Sequence, residues 1–267
     1  MIKIAKGTTM LNRNLLIIPL LSASCLFGSE YSLSMSVDTT RFDYAETSRS
    51  GNLLDTETND FGDIAGFGIR LEPRLSGFYI SVNYSEGDTD YIGGTNIDPT
   101  YGSHRTTTQN TVVDYTVGYQ VTSIIDQYTK MPFRAGVGYR GWLRDIQSTP
   151  SVSGYEELYE WGYMSIGLGL HTQFSPDVFI GIDADYRKAF NAQMYENWHG
   201  YTFDLKNVYG YTVSVPIEIK LDHEWSAFGR YSYEYWNIGA SNVINTYYEP
   251  DSETKNQTLS LGVKYYF

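Results

Sequence analysis

The chain has 267 residues, with 31 acidic against 19 basic side chains and a net charge of -12. That balance argues against nucleic acid as the main partner, because phosphate contacts need clustered Lys and Arg. Its 25 Tyr and 25 Gly stand beside a mean hydropathy of -0.33. Apolar and polar residues must therefore be interleaved, as on a strand with lipid on one face and water on the other.

Residues 1–28 read as a secretory signal peptide. Lys3, Lys6 and Arg13 precede an apolar stretch from Leu15 to Phe27, and the small Gly28 and Ser29 follow it. The stretch is too short to span a bilayer comfortably as a helix, and cleavage is expected after Gly28 or Ser29. Met10 offers an alternative start, since Met10 to Arg13 alone makes a normal basic lead. The single cysteine, Cys25, falls inside this segment, so residues 29–267 carry no thiol for disulfide or thiolate–metal chemistry. A lipid-attachment signal would want a large aliphatic residue three positions before Cys25, where Ser22 stands.

From Tyr31 onward period-two alternation dominates. The first segment sets Tyr31, Leu33, Met35 and Val37 against Ser32, Ser34, Ser36 and Asp38. Further apolar faces follow at Ala65 to Leu71, Phe78 to Tyr84, Val113 to Val121, Phe133 to Tyr139, Met164 to Leu170, Val178 to Tyr186, Tyr209 to Leu221, Trp225 to Tyr235 and Leu259 to Phe267. Tyr159 and Trp161 are read as the outer end of the sixth segment, where the alternation slips before Met164. Each segment has the length that a tilted strand needs to cross a membrane. Short connections near Pro73-Arg74, Asp126-Gln127, Ser175-Pro176 and Asp222-His223 alternate with long polar ones over 45–61, 86–107, 145–158, 188–207 and 237–256. Residues 29–267 are thus expected to form an all-β fold, a transmembrane antiparallel up-and-down β-barrel of about ten strands, with periplasmic turns and extracellular loops.

The chain closes on Gly262-Val263-Lys264-Tyr265-Tyr266-Phe267, an alternating strand with a terminal Phe. This ending looks like the C-terminal signal that outer-membrane barrels present to their assembly machinery, with Tyr265 and Phe267 as its aromatic positions. With the ten-strand layout and five long loops, the chain resembles the omptin architecture. The resemblance implies the outer membrane of a Gram-negative bacterium, with its lipid and the assembly machinery as partners, while the loop aromatics Tyr91, Tyr101, Tyr155, Trp198, Tyr201, Tyr247 and Tyr248 among polar residues suit either an extracellular ligand or loops packed on one another. Omptins are surface proteases in which loop carboxylates and a histidine activate a water. Asp88 and Asp90 in the second long loop and His199 in the fourth match part of that pattern. An Asp is required two residues before the histidine, where Asn197 stands; Glu196 or Asp204 would have to orient the ring instead. No Gly-x-Ser-x-Gly elbow, His-Glu-x-x-His pair or phosphate loop appears, and no metal or cofactor is implied.

The faces opposite the lipid carry charges of both signs. Arg70, Glu72, Asp114, Arg134, Arg140, Asp183, Asp185, Arg187, Glu218, Lys220, Arg230, Glu234 and Lys264 are expected in the lumen. In a narrow bore such charges pair across it. The reading is an outer-membrane surface protein without enzymatic activity, structural and interactive or weakly porin-like. An omptin-like endopeptidase and a small-solute channel are the alternatives.

Overall fold

The computed structural model describes residues 31–95 and 97–267; the proposed signal peptide and Cys25 lie outside them. The strands are β1 (Tyr31–Thr47), β2 (Leu53–Thr58), β3 (Ile64–Pro73), β4 (Ser76–Gly93), β5 (His104–Ile124), β6 (Thr129–Ile146), β7 (Tyr155–Ser175), β8 (Val178–Glu196), β9 (Thr202–Asp204), β10 (Lys206–Lys220), β11 (Trp225–Gly239) and β12 (Asp251–Tyr266). β2 and β3 both pair with β1 and β4, so they form one stave broken at 59–63. β9 and β10 both lie against β8 and form another. The result is a closed antiparallel barrel of 10 staves. It closes where β1 pairs with β12, from Ser32↔Tyr266 to Thr47↔Asp251. Closure gives every stave a neighbour on both sides, which hydrocarbon demands because it offers no water to unpaired N–H and C=O groups.

The tight connections fall where the sequence places them. Asp126 Oδ1 accepts from the N–H groups of Tyr128 (2.7 Å) and Thr129 (2.9 Å). Asp222 Oδ1 accepts in the same way from Glu224 and Trp225. These carboxylates stand in for missing backbone partners and fix a short turn.

The long connections differ from expectation. Much of 45–61, 86–107, 145–158, 188–207 and 237–256 is strand rather than loop. β4 and β5 stay paired to Gly93↔His104, and β8 runs to Glu196. β5 and β7 each have 21 residues, about twice the 9–11 a tilted strand needs in the membrane. The outer face marks where lipid ends. Val37, Ile166 and Leu261 are among its most exposed apolar side chains. Above them, Tyr84, Tyr139 and Tyr235 donate their hydroxyls to Glu86, Glu160 and Glu253, as amphipathic rings do at a membrane–water interface. Higher still the outer face carries ion pairs, Arg41 with Asp43 and Lys255 with Glu253. The barrel thus has a lipid-embedded half and an extracellular half standing in water.

The bore changes character at the same height. In the lower half the inward side chains are mostly Ser, Thr and charges; in the upper half a cluster of buried aromatics joins them. Tyr159, Trp161 and Tyr163 point inward and are buried completely or nearly so, and are not an outer girdle. The apparent slip in β7 is a change in which face carries the apolar residues, not a change of register parity within that strand. The backbone irregularity sits opposite, where Glu160↔Gln193 and Gly162↔Phe190 leave an extra residue on β8 at Asn191 (φ 50°). That bulge moves the inward set of β8 from Asp183, Asp185 and Arg187 to Met194 and Glu196.

Two outward substitutions separate the halves. Ile166→Arg, in the lipid belt, should reduce stability by roughly 2–4 kcal/mol in folding titrations into lipid vesicles. Gln109→Arg, on the outer face of the extracellular half, should change it by less than about 0.5 kcal/mol.

Candidate functional site

β6 displays the whole bore on one strand. Its inward residues, from the turn end upward, include Lys130, Arg134, Arg140, Trp142, Arg144 and Ile146. The levels are a vestibule, a charged layer, an aromatic layer and a buried ionic cap.

Every lumen charge expected from the sequence faces inward. All but Lys220 line one cavity of about 290 Å³, and Lys220 lines the vestibule of about 820 Å³ below it. Arg134 Nη2 lies 2.9 Å from Asp183 and 3.4 Å from Asp185. Arg140 reaches Glu234 (3.0 Å) and Asp114 (3.4 Å), and Arg187 reaches Glu234 (2.7 Å). Lys264 bridges Glu218 (2.9 Å) and Glu72 (3.3 Å), and Glu72 also accepts from Arg70 (2.6 Å). Apart from Arg140 with Asp114 on neighbouring strands and Arg70 with Glu72 within β3, these contacts bind nonadjacent staves through the bore.

The aromatic layer closes it. Phe42, Trp142, Tyr159, Trp161, Tyr163, Met194, Phe203, Val208, Trp236 and Ile238 form one buried cluster. Trp142 stacks on Tyr159 at 4.8 Å and meets Phe42 and Tyr44 edge-on. Trp161 packs on Trp236 at 5.1 Å. Such ring pairs add about 0.5–1.5 kcal/mol each beyond the area they bury.

Above this layer Arg144 is buried to 0% exposure. Its Nη2 is 2.7 Å from Glu57 Oε1, its Nη1 donates to Glu157, and its guanidinium lies 4.2 Å from the centre of the Tyr44 ring. Glu57 also accepts from Thr89 Oγ1 (2.9 Å) and Asn110 Nδ2 (3.1 Å), and Asn110 Oδ1 accepts from Trp142 Nε1 (2.8 Å). The 240–250 loop folds over the top and lowers Glu249 onto the hydroxyl of Tyr159. Glu46, next to Tyr44 (3.0 Å), and Asp55, next to Tyr91 (3.3 Å), complete the set. Arg144 pairs with Glu57 and Glu157, which leaves Glu46, Asp55 and Glu249 in the cap on tyrosine hydroxyls without an ion pair among the described residues. They cannot all ionise there. Burial pushes Glu46, Asp55 and Glu249 well above the usual carboxylate range, and neighbouring carboxylates push them further.

The omptin-type residues have a different placement. β4 points Thr89 and Tyr91 inward, which leaves Asp88 and Asp90 exposed on the outer face. His199 sits between β8 and β9, stacked on Trp198 (5.3 Å) and Tyr201 (5.4 Å), with Tyr247 at 4.7 Å. Its Nδ1 is 3.4 Å from Glu196, which also accepts from the His199 backbone N–H. The carboxylate next to the ring is therefore Glu196, while Asp204 N–H bonds Asn242. Among the described residues no hydrogen bond or ion pair joins His199 to Asp88 or Asp90. At the other end, the Tyr265 ring packs on Trp225 (4.9 Å) and Phe267 (6.1 Å).

The carboxyls of the cap are the part that sequence reading passes over, because Glu46, Asp55, Glu57, Glu157 and Glu249 fall in stretches that read as loops. One signal is present in the chain. The inward parity of Arg140 continues through Trp142 and Arg144, and that of Ser165 back through Tyr163, Trp161, Tyr159 and Glu157.

No protein-family model and no curated protein matches the sequence. Solved structures do match. The outer membrane protease OmpT from Escherichia coli aligns at 12% identity over 89% of this chain and 97% of its own, with a TM-score of 0.58. The translocator domain of autotransporter NalP from Neisseria meningitidis aligns at 11% identity over 92% of each chain, with a TM-score of 0.45. Identity this low makes the likeness to OmpT one of fold.

Arg144→Met leaves Glu57 and Glu157 buried without their cation and should cost about 3–5 kcal/mol, read from thermal unfolding in detergent. The cap also sets a pH dependence. Glu46, Asp55 and Glu249 keep their protons in the folded protein at pH values where the unfolded chain has lost them. Their contribution is therefore full below the ordinary values of 3.8–4.5 and declines as pH rises above them. Protection of the cap amides against hydrogen exchange, corrected for intrinsic rates, should fall as pH rises above the ordinary carboxylate range. Glu249→Gln should flatten the trend.

Proposed function

We propose that this chain is a Gram-negative outer-membrane surface protein, exported by a cleaved signal peptide. Its barrel is sealed toward the outside, and it acts through its extracellular half rather than by bond-breaking chemistry or free solute flow. The observation that carries the reading is the filled bore: an aromatic layer around Trp142, Trp161 and Trp236 under the Arg144 cap. A side-chain-packed lumen supports strand-to-strand rigidity and leaves no continuous water path. The outer position of Asp88 and Asp90 supports the non-enzymatic part of the reading, and the stacked His199 fits an interaction surface. Trp198 is 55% and Tyr247 47% exposed beside that histidine, and rigid aromatic side chains give contact area at low entropic cost. Tyr265 and Phe267, at the periplasmic end of β12, fit recognition by the barrel assembly machinery.

Planar-bilayer recording tests the reading. The wild-type barrel should give no steady unit conductance, while Trp142→Ala combined with Trp236→Ala should give discrete steps. Steady steps from the wild type would support a channel instead. Shortening the 240–250 loop should abolish surface binding without impairing insertion. Cleavage of a peptide library by the wild type, lost in His199→Ala, would restore the protease reading.

A further inference from the structure

The charged layer contains one cation that the pairing leaves over. Arg70, Arg134, Arg140, Arg187 and Lys264 each have a carboxylate within 4 Å. Arg230 lines the same cavity and makes no hydrogen bond or ion pair with any described residue; its guanidinium carbon lies 5.8 Å from the centre of the Phe228 ring. Its Nε is a buried donor without a partner, and so is Nη2 of Arg70. The acids nearby are committed, Glu72 to Arg70 and Lys264, and Asp183 to Arg134 and His171. Asp38, which faces Ser260 as Arg230 does from the other side, lines the cavity but makes no ion pair. A guanidinium in a low-dielectric bore without an acceptor is strongly disfavoured, so its position suits an acceptor brought in from outside.

The access side is built for that. The cavity and the vestibule share Glu72, Arg134, Phe179 and Lys264 as walls, so they adjoin one another in the bore. Arg74, Lys130 and Lys220 stand at the vestibule and make no ion pair among the described residues, and they outnumber its two carboxylates that are likewise outside any ion pair, Asp177 and Asp222. Arg74 lies over Tyr266 at 5.5 Å and Lys220 over Phe179 at 5.0 Å. Unpaired cations at a low-dielectric mouth raise the local anion concentration, and the aromatic layer blocks the far end. A small oxyanion fits the space, since a water's share of liquid is about 30 Å³ and the cavity measures about 290 Å³. We infer that the lumen is a blind anion-binding pocket open to the periplasm. It takes a small soluble oxyanion, a phosphate or a carboxylate, on Arg230 with Arg70 Nη2 as a second donor.

The test is isothermal titration calorimetry of inorganic phosphate and acetate into the folded full-length chain in zwitterionic detergent. At least one of the two should bind saturably to the wild type, roughly ten- to a hundredfold more weakly to Arg230→Gln. Asp38→Asn removes a competing negative charge and should tighten binding, an arm that stands if Arg230→Gln does not fold. Neutralising Arg74, Lys130 and Lys220 together should slow association and flatten its salt dependence. Absence of saturable heat in the wild type with both anions, equal affinity in Arg230→Gln, or weaker binding in Asp38→Asn overturns the inference. These outcomes do not depend on whether the barrel conducts, so a leaking lumen and an empty pocket fail in different experiments.

Discussion

A strand in hydrocarbon must find a hydrogen-bond partner for each backbone group on both of its edges. In this chain the demand is met only when β12 returns to β1, where Phe267 N–H donates to the Tyr31 carbonyl at 3.1 Å at the periplasmic end. Closure then dictates the rest. Each strand must send alternate side chains into a bore of limited width, and whatever is sent there must pack or pair. The Ser-rich inward face of β1 and the Arg–Asp and Lys–Glu pairs lower down are the response in the lipid-embedded half.

Above the lipid the same geometry faces the opposite solvent problem. The outside of the wall meets water, so the inside becomes the only place to bury apolar surface, and the bore behaves as the core of a soluble protein. The rings of Trp142, Tyr159, Trp161 and Trp236 occupy it. An interior with Arg144 and several carboxyls above that layer is costly unless pairing and protonation remove most of the charge. Glu57 and Glu157 are paired to Arg144, and burial disfavours the charged form of Glu46, Asp55 and Glu249. The cap is thus stable by virtue of its position: outside the membrane, roofed by the 240–250 loop, and seated on aromatics.

The two halves were legible in the sequence to different degrees. The lipid-facing residues, the tight turns at Asp126 and Asp222 and the inward charges from Arg70 to Lys264 follow from parity and composition, because lipid on one face imposes a strong contrast. In the extracellular half both faces of a strand can carry polar residues, and the contrast fades. Stretches such as 86–107 then read as loops although β4 and β5 remain paired through them. Tyr159 and Trp161 read as the outer end of a lipid-facing segment because the apolar face changes sides between Tyr163 and Met164. The carboxylates Asp88 and Asp90 had a suggestive spacing, yet the parity of β4 gives the inward place to Thr89.

What the sequence by itself determined is local: where strands cross, which face meets lipid, where the chain turns, and which charges enter the bore. Those properties repeat every two residues along one strand and need no knowledge of its neighbours. Only the tertiary structure decided which inward groups meet. Arg144 and Glu57 are 87 residues apart in the chain, and Arg230 is left without a carboxylate although many enter the same bore. Contacts across a closed barrel depend on its stagger and on bulges such as that at Asn191, which shift one strand's inward set against all the others.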